Sequence, residues 1–143
     1  MMAGLAGAWA GVLPADAAAI PRLWQGLAGE CERLRLDAGL IDAIRLCAEE
    51  IATNIARHAY AGRPAGEMRV RLGLRADGAV VLEFEDEGCP FDPTAHVEAP
   101  IPGRAEDLDL GGLGIRLVRG FAREMRYERV GSTNRLTLAF PGG

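Results

Sequence analysis

The stretch Leu46–Tyr60, LCAEEIATNIARHAY, decides how the chain reads. Ile41, Ile44, Ala48, Ile51 and Ile55 recur at helical spacing and form an apolar stripe for a core. Glu50 and Asn54 lie one turn apart at the edge of that stripe. A carboxylate there can take a proton from a hydroxyl or a water. An amide oxygen is a hard ligand of the kind Mg²⁺ prefers. A solvated helix edge presents the same pair, so the choice between the two readings falls to the rest of the chain.

The totals narrow the field. A chain of 143 residues is one domain with room for a real core. Its net charge of −4 gives no reason to expect nucleic acid as a direct partner. The 16 basic residues are all Arg. Without Lys there is no Walker A loop, no strand Lys of a eukaryotic-type protein kinase and no Schiff-base chemistry. Phosphates, if bound, fall to backbone N–H groups, a metal and Arg. Cys31, Cys47 and Cys89 form no CxxC and make a poor metal set with two His. A reduced, cytoplasmic location is expected. Met1–Val12 is too short to span a bilayer and lacks a basic n-region, so no membrane partner is expected.

Outward from the deciding stretch, Asp37 is the expected cap of its helix and Asp16 that of a preceding helix to about Arg35, with Pro21 in the first turn. A start over residues 1–7 is expected to be disordered, with a short strand near Ala8–Leu13. Met68–Leu74 and Val80–Glu85 flank Asp77-Gly78 and read as a hairpin. The pattern stops from Asp86 to Gly112 and becomes helical at Leu113–Arg123. Met125–Val130 and Arg135–Phe140 flank a turn expected at Gly131–Asn134. This order predicts an α+β two-layer sandwich, with helices on one face of a mixed sheet.

Two further stretches bear on chemistry. In Glu85–Pro93, EDEGCPFDP, Asp86 stands at a strand end two residues before Gly88. A carboxylate so placed can accept from an amine such as that of adenine, while a glycine lets backbone come close to a flat ring. A plain Asp/Gly/Pro turn has the same composition. In Asp109–Val118, DLGGLGIRLV, Gly111, Gly112 and Gly114 precede a helix. Free N–H groups at a helix start suit phosphates, and equally such glycines serve as a hinge.

Taken together, in this order and spacing, the three stretches resemble the boxes of the GHKL ATPase superfamily, which includes gyrase and the histidine kinases. Within it, EEIATNIARHAY, DEGCPFDP, GGLGIRLV and NRLTLAF resemble the bacterial anti-sigma factor serine/threonine kinases. The resemblance runs from about Leu13 to Phe140 and implies the Bergerat-type ATP-binding fold over residues 1–143, with an ATP lid at 93–112. It implies ATP and Mg²⁺ as cofactors. Glu50 matches the general base, Asn54 the Mg²⁺ ligand and Asp86 the acceptor of the adenine amine. Gly88 matches the residue that lets the ring approach. Gly111, Gly112, Leu113 and Gly114 match the turn that meets the phosphates. Arg57, His58 and Phe91 are expected around the nucleotide, with a structural His the alternative for His58. Asn134 falls where many relatives place a Thr near the adenine.

The implied activity is that of an anti-sigma factor with serine/threonine protein kinase activity. Its implied partners are a sigma factor, a STAS-domain anti-anti-sigma protein and a second copy of the chain. A catalytically silent ATP-dependent binding module has the same pocket. A histidine kinase catalytic domain would require a phosphoacceptor hairpin ahead of the first helix.

Overall fold

Asp37 starts the helix that carries the deciding stretch: its side chain accepts from Leu40 N–H at 2.8 Å. In the computed structural model, residues 6–64, 66–93 and 118–142 are described. The expected lid beyond Pro93, His96, Gly111, Gly112, Leu113 and Gly114 lie outside the described residues, as do residues 1–5 of the expected disordered start. Residues 6 and 7 of that start already belong to a strand.

That strand is β1, Ala6–Pro14. A 3₁₀ turn over Ala17–Ala19 follows, capped by Asp16, and leads into α1, Ile20–Arg33, with Pro21 in its first turn. Then come α2, Ala38–Asn54, and a π-helical turn, Ile55–Ala59. The hairpin β2, Glu67–Leu74, and β3, Val80–Asp86, is next. Residues 118–121 are helical, and β4, Glu124–Val130, and β5, Thr133–Phe140, complete the sheet.

The sheet order is β1-β2-β3-β5-β4. Every bonded pair is antiparallel, where a mixed sheet was expected. The reason is topological. Between β1 and β2 the chain makes two helical passes, so β2 starts at the end of the sheet where β1 stopped. Strands β3 and β4 run the same way. However, β5 inserts between them and pairs antiparallel with both.

The core lies between the helices and one sheet face. Leu23, Leu27, Ile44, Cys47 and Ile51 meet Met68, Val70, Leu72, Leu82, Phe84 and Leu138. Burial of the two core thiols pushes Cys31 up to about 11 and Cys47 up to about 12. A side chain at Gly26 in α1 would stand 2.2 Å from Cζ2 of Trp9. Gly26 therefore loosens the helix by about 1 kcal/mol relative to Ala but lets the indole cross it. On the other face, Arg69 and Arg135 both bond Glu85, and Arg135 continues to Glu128.

Candidate functional site

The site forms where α2 loosens into the π turn, beside the ends of β3 and β5. Helices that widen to an i→i+5 pattern often do so at functional sites. Here the widened turn brings Ile55, His58 and Ala59 to the cavity that Ile51 and Asn54 already line.

Asp86 ends β3 and is 5% exposed. Its Oδ1 accepts from Gly88 N–H at 2.9 Å and from Asn134 Nδ2 at 2.8 Å. Its Oδ2 accepts nothing among the described residues. Asn134 sits directly across from Asp86 in the β3–β5 register. The expected turn over Gly131–Asn134 is therefore shorter: Val130 already pairs with Thr133, and Asn134 is in strand. That shift moves Asn134 from the surface to the floor of the site.

Asn54, at the end of α2, is 7% exposed, and its amide has no hydrogen-bond partner among the described residues. A buried polar group left without any partner costs about 1–3 kcal/mol, so the Asn54 amide calls for a partner beyond these residues, such as a water, an ion or a ligand.

These groups share one cavity of about 450 Å³, counting the part open to solvent. Ile51, Ile55, Phe84 and Leu136 make it apolar, Asp86 and Asn134 are polar points on its wall, and Phe91 and His58 are exposed members of its lining. The rings of His58 and Phe91 stack with centroids 5.6 Å apart. A mostly apolar cavity with a few convergent polar atoms is the usual form of a small-molecule site. The spare Asp86 oxygen suits the amine of a purine, and the unpartnered Asn54 amide suits a hydrated Mg²⁺.

The structure thus gathers Asn54, His58, Asp86 and Phe91 at one cavity. Glu50, one turn before Asn54 on α2, is half-buried and outside the lining. Arg57 is exposed and also outside it. Gly88 is outside the lining, between Asp86 and Cys89, which belong to it. A Cβ there would fall 2.0 Å from the Ala59 carbonyl oxygen. Glycine is needed because the loop after β3 crosses the π turn, and Cys89 N–H bonds that same oxygen at 2.6 Å. Tyr127 and Cys89 line the cavity without having been singled out for it. Tyr127 is one of several inward positions on an alternating strand, so only the cross-strand register reveals it.

The chain matches the family model of the histidine kinase-like ATPase domain over residues 13–140. It is similar to the serine/threonine-protein kinase BtrW of Bordetella bronchiseptica, 37% identical over 108 residues that make up 74% of each chain. It is also similar to the anti-sigma F factor of Priestia megaterium, 29% identical over 85 residues, 59% of this chain and 58% of that protein. Among solved structures, the histidine kinase domain of a blue-light activated histidine kinase from Erythrobacter litoralis EL346 has the same fold. Its TM-score is 0.55 at 20% identity, over 90% of this chain and 65% of that one. The apolar slot, its spare carboxylate oxygen and these matches agree: the chain belongs to the histidine kinase-like (GHKL) ATPase family, on the side of its serine/threonine kinases and anti-sigma factors.

Proposed function

We propose that the chain is an ATP-binding anti-sigma regulator. It holds a sigma factor in one state and in another phosphorylates a serine or threonine of a STAS-domain antagonist. The observation that carries this is the pairing, in one apolar cavity, of a buried carboxylate oxygen and a buried amide, neither with a partner among the described residues. The named relatives support the regulator and kinase parts of the reading.

Asp86 would take the adenine amine through Oδ2, with the ring among Ile51, Ile55, Phe84 and Leu136. The stacked His58 and Phe91 would lie against the nucleotide. Asn54 would hold Mg²⁺. Among the described residues no group of three acidic, His or Cys side chains could do so instead, which suits an ion that keeps its waters and leans on phosphate oxygens. Arg57 and the turn Gly111, Gly112, Leu113, Gly114 would meet the phosphates. When bound, the magnesium nucleotide supplies the phosphoryl group and neutralises charge during its transfer. Glu50 would be the base that takes the proton of the incoming hydroxyl. Its half-exposed place outside the slot suits a base that must meet a side chain carried by another protein. The protein would act in the cytoplasm as a homodimer. No helix among the described residues is long and apolar enough to cross a membrane.

Two measurements test this. ATP with Mg²⁺ at a hundredfold excess over Kd should stabilise the fold by about 2.7 kcal/mol; an unmoved melting curve sinks the nucleotide reading. Labelled phosphate should pass to a STAS-domain antagonist, and Glu50→Ala should bind ATP yet slow transfer by about 10²–10⁴-fold. The position of Glu50 outside the cavity also fits a second reading, a silent module in which ATP only sets partner affinity. In that case neither protein transfers label, while ATP still shifts sigma factor binding.

A further inference from the structure

Asn134 is 4% exposed and uses every hydrogen-bonding group of its amide on the protein. Nδ2 donates to Asp86 Oδ1 at 2.8 Å and to the Cys89 carbonyl at 2.9 Å. Oδ1 accepts from the Tyr127 hydroxyl and from Arg129 Nη1, the latter at 3.1 Å. These partners permit one orientation. A guanidinium can only donate and a peptide carbonyl can only accept. An amide turned over would face both wrongly and set its oxygen against the Asp86 carboxylate.

Arg129 is anchored in turn. Its Nη1 also donates to the Gly88 carbonyl at 2.8 Å, and its Nε to the Gly131 carbonyl at 3.1 Å. It therefore ties the β4–β5 turn to the loop after β3, and both to the amide that touches Asp86. Arg129 itself is exposed and does not line the cavity.

We propose that Asn134 and Arg129 are positioning residues that make the cavity selective for a base bearing an exocyclic amine. Asn134, held in turn by Arg129, shares Asp86 Oδ1 with the Gly88 N–H and fixes the carboxylate, so that only Oδ2, an acceptor, is presented to the ligand. A ring with a 6-amino group satisfies it. A ring with a 6-oxo group sets oxygen against oxygen, and a ring with hydrogen there leaves the acceptor unpaired. Without the clamp, the carboxylate can swing toward the freed Gly88–Cys89 loop and the amine loses its fixed partner. The inference rests on the nucleotide reading above and deepens it.

The test compares ATP with purine riboside triphosphate, which carries hydrogen in place of the amine. Affinities are measured with Mg²⁺ for the wild type, Asn134→Ala and Arg129→Met. The wild type should prefer ATP by about tenfold or more, the scale of one hydrogen bond to a charged group. Both variants should narrow that preference to about threefold or less, with the larger loss falling on ATP. An unchanged preference in the folded variants overturns the proposal, and so does an equal loss for both nucleotides, the mark of general damage to the pocket. If Asn134→Ala does not fold, Arg129→Met at its exposed position decides alone. A wild type that binds both nucleotides equally also overturns it. A wild type that binds neither sinks the nucleotide reading itself.

Discussion

The two ends of the sheet are built from the same strands and treat polar groups in opposite ways. At the hairpin end, Arg75 bonds both Asp77 and Glu124, and Arg123 lies within ion-pair distance of the same two acids. Every charge there is matched, and the side chains are a third to a half exposed. At the other end Asp86, Asn134 and Asn54 are buried, and one oxygen and one amide have no partner among the described residues. The first arrangement closes the sheet and asks for nothing. The second leaves buried polar groups open, among the described residues, beside a cavity where a ligand can complete them.

If that contrast is right, the cavity end should be intolerant of added atoms and the hairpin end indifferent to lost charges. The largest effect is expected at Gly88. Ala there drives its Cβ into the Ala59 carbonyl, backbone against backbone, with no flexible side chain to yield. Gly88→Ala should cost about 3 kcal/mol of stability, read as a lowered midpoint in urea. A midpoint like that of the wild type would mean that the loop and the π turn are not held together. Asp86→Asn comes next. It keeps an oxygen for Gly88 N–H and Asn134 but turns the spare acceptor into a donor. Affinity for ATP should fall about tenfold to a hundredfold, with the melting temperature of the free protein little changed. A large loss of stability in place of affinity would erase the distinction between the two ends.

Much of this was legible in the sequence because it is local. Asp37 as a cap, the stripe through Ile44, Ala48 and Ile51, and Asp77-Gly78 as a hairpin turn each follow from residues within one or two turns of each other. Gly78 does sit at φ 89°, and its N–H closes the turn on the Arg75 carbonyl. Asp86 and Asn54 were legible as types of chemistry. What sequence could not supply was register. Asn134 meets Asp86 across 48 positions, and a shift of one residue in β5 would turn it to the other face. The need for glycine at 88 was also hidden, since it arises from the carbonyl of a residue 29 positions earlier. The sheet reads as mixed until it is known that β5 slips between β3 and β4.

Two smaller changes probe the indifferent end. Arg35 follows α1 at φ 56°, left-handed backbone that favours glycine. The N–H groups of Arg35 and Leu36 bond the carbonyls of Glu32 and Cys31, so the turn needs that conformation. Arg35→Gly should stabilise the fold by about 0.5–1 kcal/mol, since the left-handed cost outweighs the added freedom of the unfolded chain; a destabilised variant would mean that the arginine side chain holds the turn. The smallest effect is expected from Asp77→Asn. The Arg75 guanidinium, with the Ala79 N–H, holds the Asp77 carboxyl well below its ordinary value of 3.8. A depressed acid contributes stability that is present above its unfolded pKa and is lost as pH falls through its folded one. The variant should therefore match the wild type most closely in strong acid and fall slightly behind near neutrality, by an amount that about 1 M salt nearly removes. A gap that survives such salt would show that this exposed cluster does more than close the sheet, and the contrast between the two ends would have to be redrawn.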